Sequence, residues 1–185
     1  MAGKVFSLTP VQVPRVETAY RRIVTPLPVP ESLPVLERLR EVESRSMQGQ
    51  PPLVWHKAQG VQVHDCWGNM WLDFSSGVLV TNVGHARTRV IEAIVRTAQK
   101  PHLHHYCFPS EERVALAAKL VELAPPPLKK VFLLTTGAET TECAFKLART
   151  YGQSLARRKI DFVTFRGSFH GRTLGSQMIG GNPAL

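Results

Sequence analysis

At 185 residues, 43% hydrophobic and 20% charged, the chain has ordinary globular composition and length for one good core, or one domain plus part of another. Its net charge of +9 raises anionic partners as a class, yet the basic groups at 21–22, 129–130 and 157–159 are scattered and lack interleaved aromatics, which argues against a nucleic-acid platform. No apolar run reaches membrane-span length and residues 1–14 hold no apolar signal region, while three cysteines without a CxxC pair argue against a disulfide framework or a zinc knuckle. A reducing, cytoplasmic compartment is the expectation that fits.

Residues 1–30 read as an extended arm, with Pro26, Pro28 and Pro30 in alternation, and docking on a partner subunit is its functional alternative. Residues 31–47 carry Leu33, Leu36, Leu39 and Val42 at three-residue steps and predict a helix, ended by Gly49-Gln50-Pro51-Pro52. Residues 53–74 then predict an antiparallel meander through Val54-Trp55, Gly60-Val61-Gln62-Val63 and Met70-Trp71-Leu72, with Asp65 and Gly68-Asn69 as turn residues. Residues 31–76 are thus a helix-and-meander region.

From residue 77 onward the pattern alternates helix and strand. Residues 86–99 place Val90, Ile91, Ile94, Val95 and Ala98 on one helical face. Ser110 N-caps a helix reaching Leu123, with Val114, Ala117, Ala118 and Val121 inward, and Pro125-Pro126-Pro127 stops it. Residues 131–135 read as a short apolar strand, 139–157 as a helix with Ala144, Leu147, Ala148 and Tyr151 on one face, and 161–165 as the next strand. Strand, helix, strand at this spacing predicts a βαβ unit and the start of a mainly parallel sheet, hence an α/β class. Two strands leave such a sheet incomplete, so 77–185 is expected to be part of a larger domain and to associate or dissolve poorly.

Thr135-Thr136-Gly137-Ala138-Glu139 joins the end of a predicted strand to the start of a helix. Unpaired amides and the positive end of the helix dipole meet there, which suits a phosphate on Gly137 and Ala138 with a threonine hydroxyl alongside. An equally open reading makes Thr136 an N-cap and Glu139 the partner that closes a capping box. No lysine follows in P-loop spacing. The second chemical string, Gly167-Ser168-Phe169-His170-Gly171-Arg172-Thr173, offers an aromatic to stack on a flat ring and an arginine to grip a carboxylate.

Residues 135–149, reading Thr-Thr-Gly-Ala-Glu-Thr-Thr-Glu-Cys-Ala-Phe-Lys-Leu-Ala-Arg, resemble the phosphate-loop-and-helix signature of class III aminotransferases. So do Phe169-His170-Gly171-Arg172-Thr173 downstream, and Gly68 to Val78 followed by Asn82-Val83-Gly84-His85 upstream. The similarity runs from about Leu53 to Pro183. It implies the N-terminal part of a fold type I transferase dependent on pyridoxal phosphate, with 31–76 belonging to a small domain and 77–185 to an incomplete cofactor-binding large domain. It also implies that Gly137, Ala138 and Thr136 hold the cofactor's phosphate, Phe169 stacks on its ring, and His170 lies beside the ring or supports the loop. Arg172 matches the family's contact to a substrate carboxylate, and Val78 a position lining the substrate entrance. The doubled threonine and residues 174–183 lean toward the 4-aminobutyrate-like branch.

By the same resemblance the partners are an amino donor and a keto acid acceptor, and the complete enzyme is a homodimer. The catalytic lysine and the acid at the ring nitrogen are expected beyond Leu185, since none of Lys119, Lys129, Lys130, Lys146 and Lys159 matches the family's lysine. The chain alone is therefore expected to be inactive. A non-catalytic remnant that pairs with another chain is the alternative. Neither a metal site nor a nucleic-acid or membrane partner is expected: Pro101-His102-Leu103-His104-His105 reads as a packed or interface loop, His85 as a turn-stabilising residue, and Cys107 and Cys143 as core or half-buried thiols. Glu142 and Lys146 read equally as a helix-face pair or as functional groups.

Overall fold

Short turns and backbone pairing fix the architecture of the N-terminal half in this computed structural model, which describes residues 5–47, 49–100 and 107–182. Strands β3 (Lys57–Gln59) and β4 (Gln62–His64) form a hairpin closed by Gly60 and Val61. Gly60 takes φ +58°, as the first position of such a two-residue turn demands. The next turn, to β5 (Met70–Leu72), is organised by Asp65, whose carboxylate accepts from the amides of Trp67 at 2.9 Å and Asn69 at 2.8 Å. The first strand of the meander thus starts at Lys57 rather than at Val54-Trp55, because the turn at 60–61 sets the register.

The segment read as an arm contributes two further strands, β1 (Val16–Glu17) and β2 (Arg22–Ile23). The resulting five-stranded antiparallel sheet has the order β1-β2-β5-β4-β3. Fully buried Asn69 fastens this segment to the meander: its side chain accepts from Val24 N and donates to Thr25 Oγ1 and Asp65 Oδ2. Val63, opposite Trp71, is buried with Ile23, Val29 and Leu36 as a small core. The predicted helix over 31–47 is broken into a 3-10 turn (Pro30–Ser32), helix α1 (Leu33–Val42) and a second 3-10 turn (Arg45–Met47), because Glu43 turns extended with ψ 146°.

Beyond the sheet come α2 (Ser76–Leu79), one turn with every φ positive, and helix α3 (Thr88–Ala98). The second half holds α4 (Glu111–Leu123), α5 (Gly137–Leu155) and the short α6 (Leu174–Met178). Ser110 caps α4 by accepting from Arg113 N, as its sequence position predicts. The protein divides into two compact units, Met1–His104 and His105–Leu185.

The α/β class holds, but the parallel ladder does not form among the described residues. Segments 131–135 and 161–165 form no strand, and the sheet that exists is wholly antiparallel. An extended run becomes a strand only when a neighbour takes its amides and carbonyls. The same lack of cover leaves the amphipathic helix faces open. Ile94 is 62% exposed, Val114 62% and Tyr151 67%, where the periodicity predicts inward positions. Cys107 is exposed rather than buried, while Cys143 is half-buried. The histidine-rich loop at 101–105 lies outside the described residues.

Candidate active site

The start of α5 satisfies itself and still leaves donors over. Thr136 Oγ1 accepts from Glu139 N at 3.1 Å, and the Glu139 carboxylate accepts from Thr136 N at 3.1 Å, completing the capping box. The same carboxylate takes Thr135 N at 3.2 Å and the Thr135 hydroxyl, which, ahead of the other bonds, holds the Glu139 carboxyl below its ordinary value. The amides of Gly137 and Ala138, first and second in the helix, precede the intrahelical ladder and have no partner among the described residues. Capping and anion-binding readings therefore coexist: Thr136 and Glu139 serve the cap, and Gly137 and Ala138 present two aligned N–H groups.

The second string folds back onto this helix start. Gly171 has φ +126°, and a Cβ there would meet Ala138 Cβ at 2.6 Å and Ala138 Cα at 2.8 Å. Only a glycine permits that approach. Further on, one oxygen of Glu142 accepts from Thr173 Oγ1 at 2.6 Å, Gly175 N at 2.9 Å and Ser176 N at 3.2 Å. Glu142 is thus committed to residues 173–176 rather than to a helix-face pair with Lys146. The Thr173 hydroxyl, more than the two amides, holds its carboxyl below the ordinary value. The Ser168 hydroxyl donates to Phe165 O at 2.7 Å, so His170 Nε2, 3.0 Å from Ser168 Oγ, is the donor in that pair.

These two elements flank an open cleft of about 480 Å³ lined by Gly137, Ala138, Thr141, Phe169, His170, Gly171 and Arg172. Five residues singled out from sequence (Gly137, Ala138, Phe169, His170 and Arg172) converge there. Thr136 stands behind the cleft as the cap, and Val78 belongs to the other unit, 78% exposed in α2. Sequence reasoning missed Thr141 as a lining residue, although its three-residue spacing from Ala138 on a helix was the available signal. It also missed Glu142 as an anchor, for which no local signal exists. No lysine lines the cleft. The first unit has its own carboxylate centre: Asp73, with a side chain 3% exposed, accepts from His85 Nε2 at 2.7 Å, Ser75 N at 2.9 Å, Ser75 Oγ at 2.7 Å and Gly77 N at 2.6 Å. His85 stabilises this turn, as its position after Gly84 suggests.

A family model described as aminotransferase class-III matches residues 44–182. Acetylornithine aminotransferase of Agrobacterium fabrum is 40% identical over 133 residues, covering 70% of this chain and 32% of that protein. The 4-aminobutyrate aminotransferase of Mycobacterium leprae is 35% identical over 157 residues, covering 83% of this chain and 34% of the relative. Among solved structures, taurine:2-oxoglutarate aminotransferase from Bifidobacterium kashiwanohense, in complex with PLP and glutamate, superposes with a TM-score of 0.66 at 26% identity, covering 88% of this chain and 34% of that one. The chain spans about a third of the length of the relatives it matches.

Proposed function

The chain belongs to the class III aminotransferase family, and from that premise we propose that its second unit supplies the phosphate, ring and carboxylate contacts of an enzyme that moves an amino group from an amino acid or omega-amino acid to a keto acid. The supporting observation is the convergence of Gly137, Ala138, Phe169, His170 and Arg172 on one cleft.

Pyridoxal phosphate is the family's cofactor, and the donor set fits it. Two aligned amides at a helix start suit a phosphate monoester, and nothing lies within 4 Å of a Cβ placed on Gly137, so the approach is open. When bound, the cofactor supplies an electron-poor ring that takes up the electron pair released at the amine-bearing carbon. The chain's residues do the holding. Gly137 and Ala138 bind the phosphate, with Thr136 keeping the first turn wound behind them. Phe169 covers a ring face, and His170, oriented by Ser168, sits beside the ring. Arg172 grips a substrate carboxylate through its two-pronged donor geometry.

The reading places the catalytic lysine and the acid at the ring nitrogen in protein outside these 185 residues, so that this chain holds the cofactor without turning over. A homodimer in a reducing, cytoplasmic compartment is the expected setting of the complete enzyme. A second reading draws on Val163, 98% exposed, and Phe165, 81% exposed, both within segment 161–165. In it the chain is a non-catalytic module whose apolar face is covered by another chain.

Equilibrium dialysis of the chain against pyridoxal phosphate, followed by borohydride and mass spectrometry, tests the proposal. Saturable binding is expected, displaced by inorganic phosphate and weakened about tenfold by Phe169→Ala, in line with loss of a stacking contact, with no lysine labelled. Binding indifferent to both phosphate and Phe169→Ala would rule out this cleft. A single borohydride-fixed lysine would show that the chain carries the catalytic lysine itself.

A further inference from the structure

Glu142 has no part in the cleft lining, yet it holds one end of the loop that carries Arg172. The loop meets α5 at two points. Gly171 packs on Ala138, where an added Cβ would fall 2.6 Å from the Ala138 methyl. Residues 173–176 close on Glu142, one turn further along the helix, through three bonds to a single carboxylate oxygen, Oε1. Arg172 is the residue between these two anchors. Its backbone is thereby fixed relative to Gly137 and Ala138, five and four residues before Glu142 on α5.

We propose that Glu142 is a positioning residue that sets Arg172 at a fixed distance from the anion-binding start of α5, and so sets the spacing between the phosphate and carboxylate groups the cleft accepts. This rests on the assignment of Arg172 as the carboxylate contact. Several features support it. All three donors are neutral and belong to the loop, so the contact acts as an anchor rather than as charge neutralisation. Ser176 is fully buried, and its hydroxyl bonds back to Thr173 O at 2.9 Å and lies 2.9 Å from Thr173 Oγ1, which stiffens the segment Glu142 grips. Gly175 leaves the carboxylate room, since a Cβ there would collide with it. A long carboxylate reaching 31 to 34 residues along the chain gives up rotamer freedom to do so.

The test uses the full 185-residue chain, labelled with nitrogen-15, and compares the native sequence with Glu142→Ala, Glu142→Gln and Gly175→Ala. Hydrogen exchange at the Gly175 and Ser176 amides reports the anchor. Titration with inorganic phosphate, followed at the Gly137 and Ala138 amides, and with glutarate, followed at Arg172 Nε, reports the two halves of the cleft. Glu142→Ala is expected to speed exchange at 175 and 176 about tenfold and to weaken glutarate about tenfold, with phosphate affinity held within about twofold. Glu142→Gln keeps an Oε1 acceptor and is expected to restore most of both. Gly175→Ala, which displaces the carboxylate without removing it, is expected to mimic Glu142→Ala and serves if the latter fails to fold. Unchanged exchange in Glu142→Ala and Gly175→Ala overturns the proposal, as does an equal loss of phosphate and glutarate binding. If glutarate fails to bind even the native chain while exchange responds as expected, the anchor stands and the carboxylate assignment of Arg172 falls.

Discussion

Two loops in this protein are each held by one carboxylate, and they are held in opposite ways. Asp73, in the first unit, binds backbone that follows it directly, at Ser75 and Gly77, with His85 completing its shell. Glu142, in the second, binds backbone more than thirty residues away. The local anchor holds a strained turn: Ser76, Gly77, Val78 and Leu79 all have φ between +53° and +66°. The distant anchor holds a loop whose positive φ values fall only on glycines, Gly167 and Gly171. A local carboxylate can force a conformation the chain would otherwise avoid, whereas a distant one selects the relative placement of two segments that are each already comfortable.

The sharpest way to break the distant anchor is to leave Glu142 alone and push the loop off. Gly171→Ala places a methyl against Ala138 and demands φ +126° of a residue with a side chain. It is expected to destabilise the second unit by about 3 kcal/mol, by overpacking and backbone strain together. A urea midpoint followed by far-ultraviolet circular dichroism, in which α4 and α5 contribute strongly, reads the effect. A midpoint unchanged from the native chain would mean that the loop does not rest on Ala138 in solution.

The local anchor is best broken at the carboxylate. Asp73→Ala removes an acceptor for four donors and is expected to cost the first unit about 2 kcal/mol. All three tryptophans, Trp55, Trp67 and Trp71, lie in that unit, so their fluorescence follows it selectively. Its pH dependence has a definite sign. The bond to His85, ahead of the Ser75 hydroxyl, depresses the Asp73 carboxyl below its ordinary 3.8 in the folded state. Stability from this source is therefore complete above that ordinary value and is lost as pH falls through the depressed one. The native chain should lose fluorescence-monitored stability through this acid range, and Asp73→Asn should flatten that limb. An acid limb of the same slope in Asp73→Asn would assign the loss to other carboxylates.

The contrast between the two anchors also explains how much was legible in the sequence. Ser110 before α4, and Thr136 with Glu139 at α5, could be read because capping is a matter of spacing within one turn. The meander could be read because Gly60 and Asp65 act on their own neighbours. Residues 131–135 and 161–165 have strand-like composition, yet a ladder needs a second segment in register, and composition does not specify one. Glu142 sits at a spacing that suits a pair with Lys146, and nothing local says that its partners are Thr173, Gly175 and Ser176. The cleft residues themselves were reached by resemblance, and the structure brings five of them together on the two elements that the resemblance named.

The smallest expected effect asks whether the strain at the local anchor belongs to the anchor or to the residue that bears it. Val78 is a β-branched residue at φ 62° and ψ 60° and is 78% exposed. Left-handed backbone costs such a residue about 1–2 kcal/mol, while a glycine in its place adds up to about 1 kcal/mol of unfolded-chain entropy. With little packing to lose, Val78→Gly is expected to stabilise the first unit by about 0.5 kcal/mol in the tryptophan-monitored urea transition. A gain of that sign means that the Asp73 and His85 bonds hold the turn left-handed against the preference of Val78. A loss means that the valine itself supports the turn. In that case Asp73→Ala and Val78→Gly should be non-additive when combined, because both would act on the same four residues.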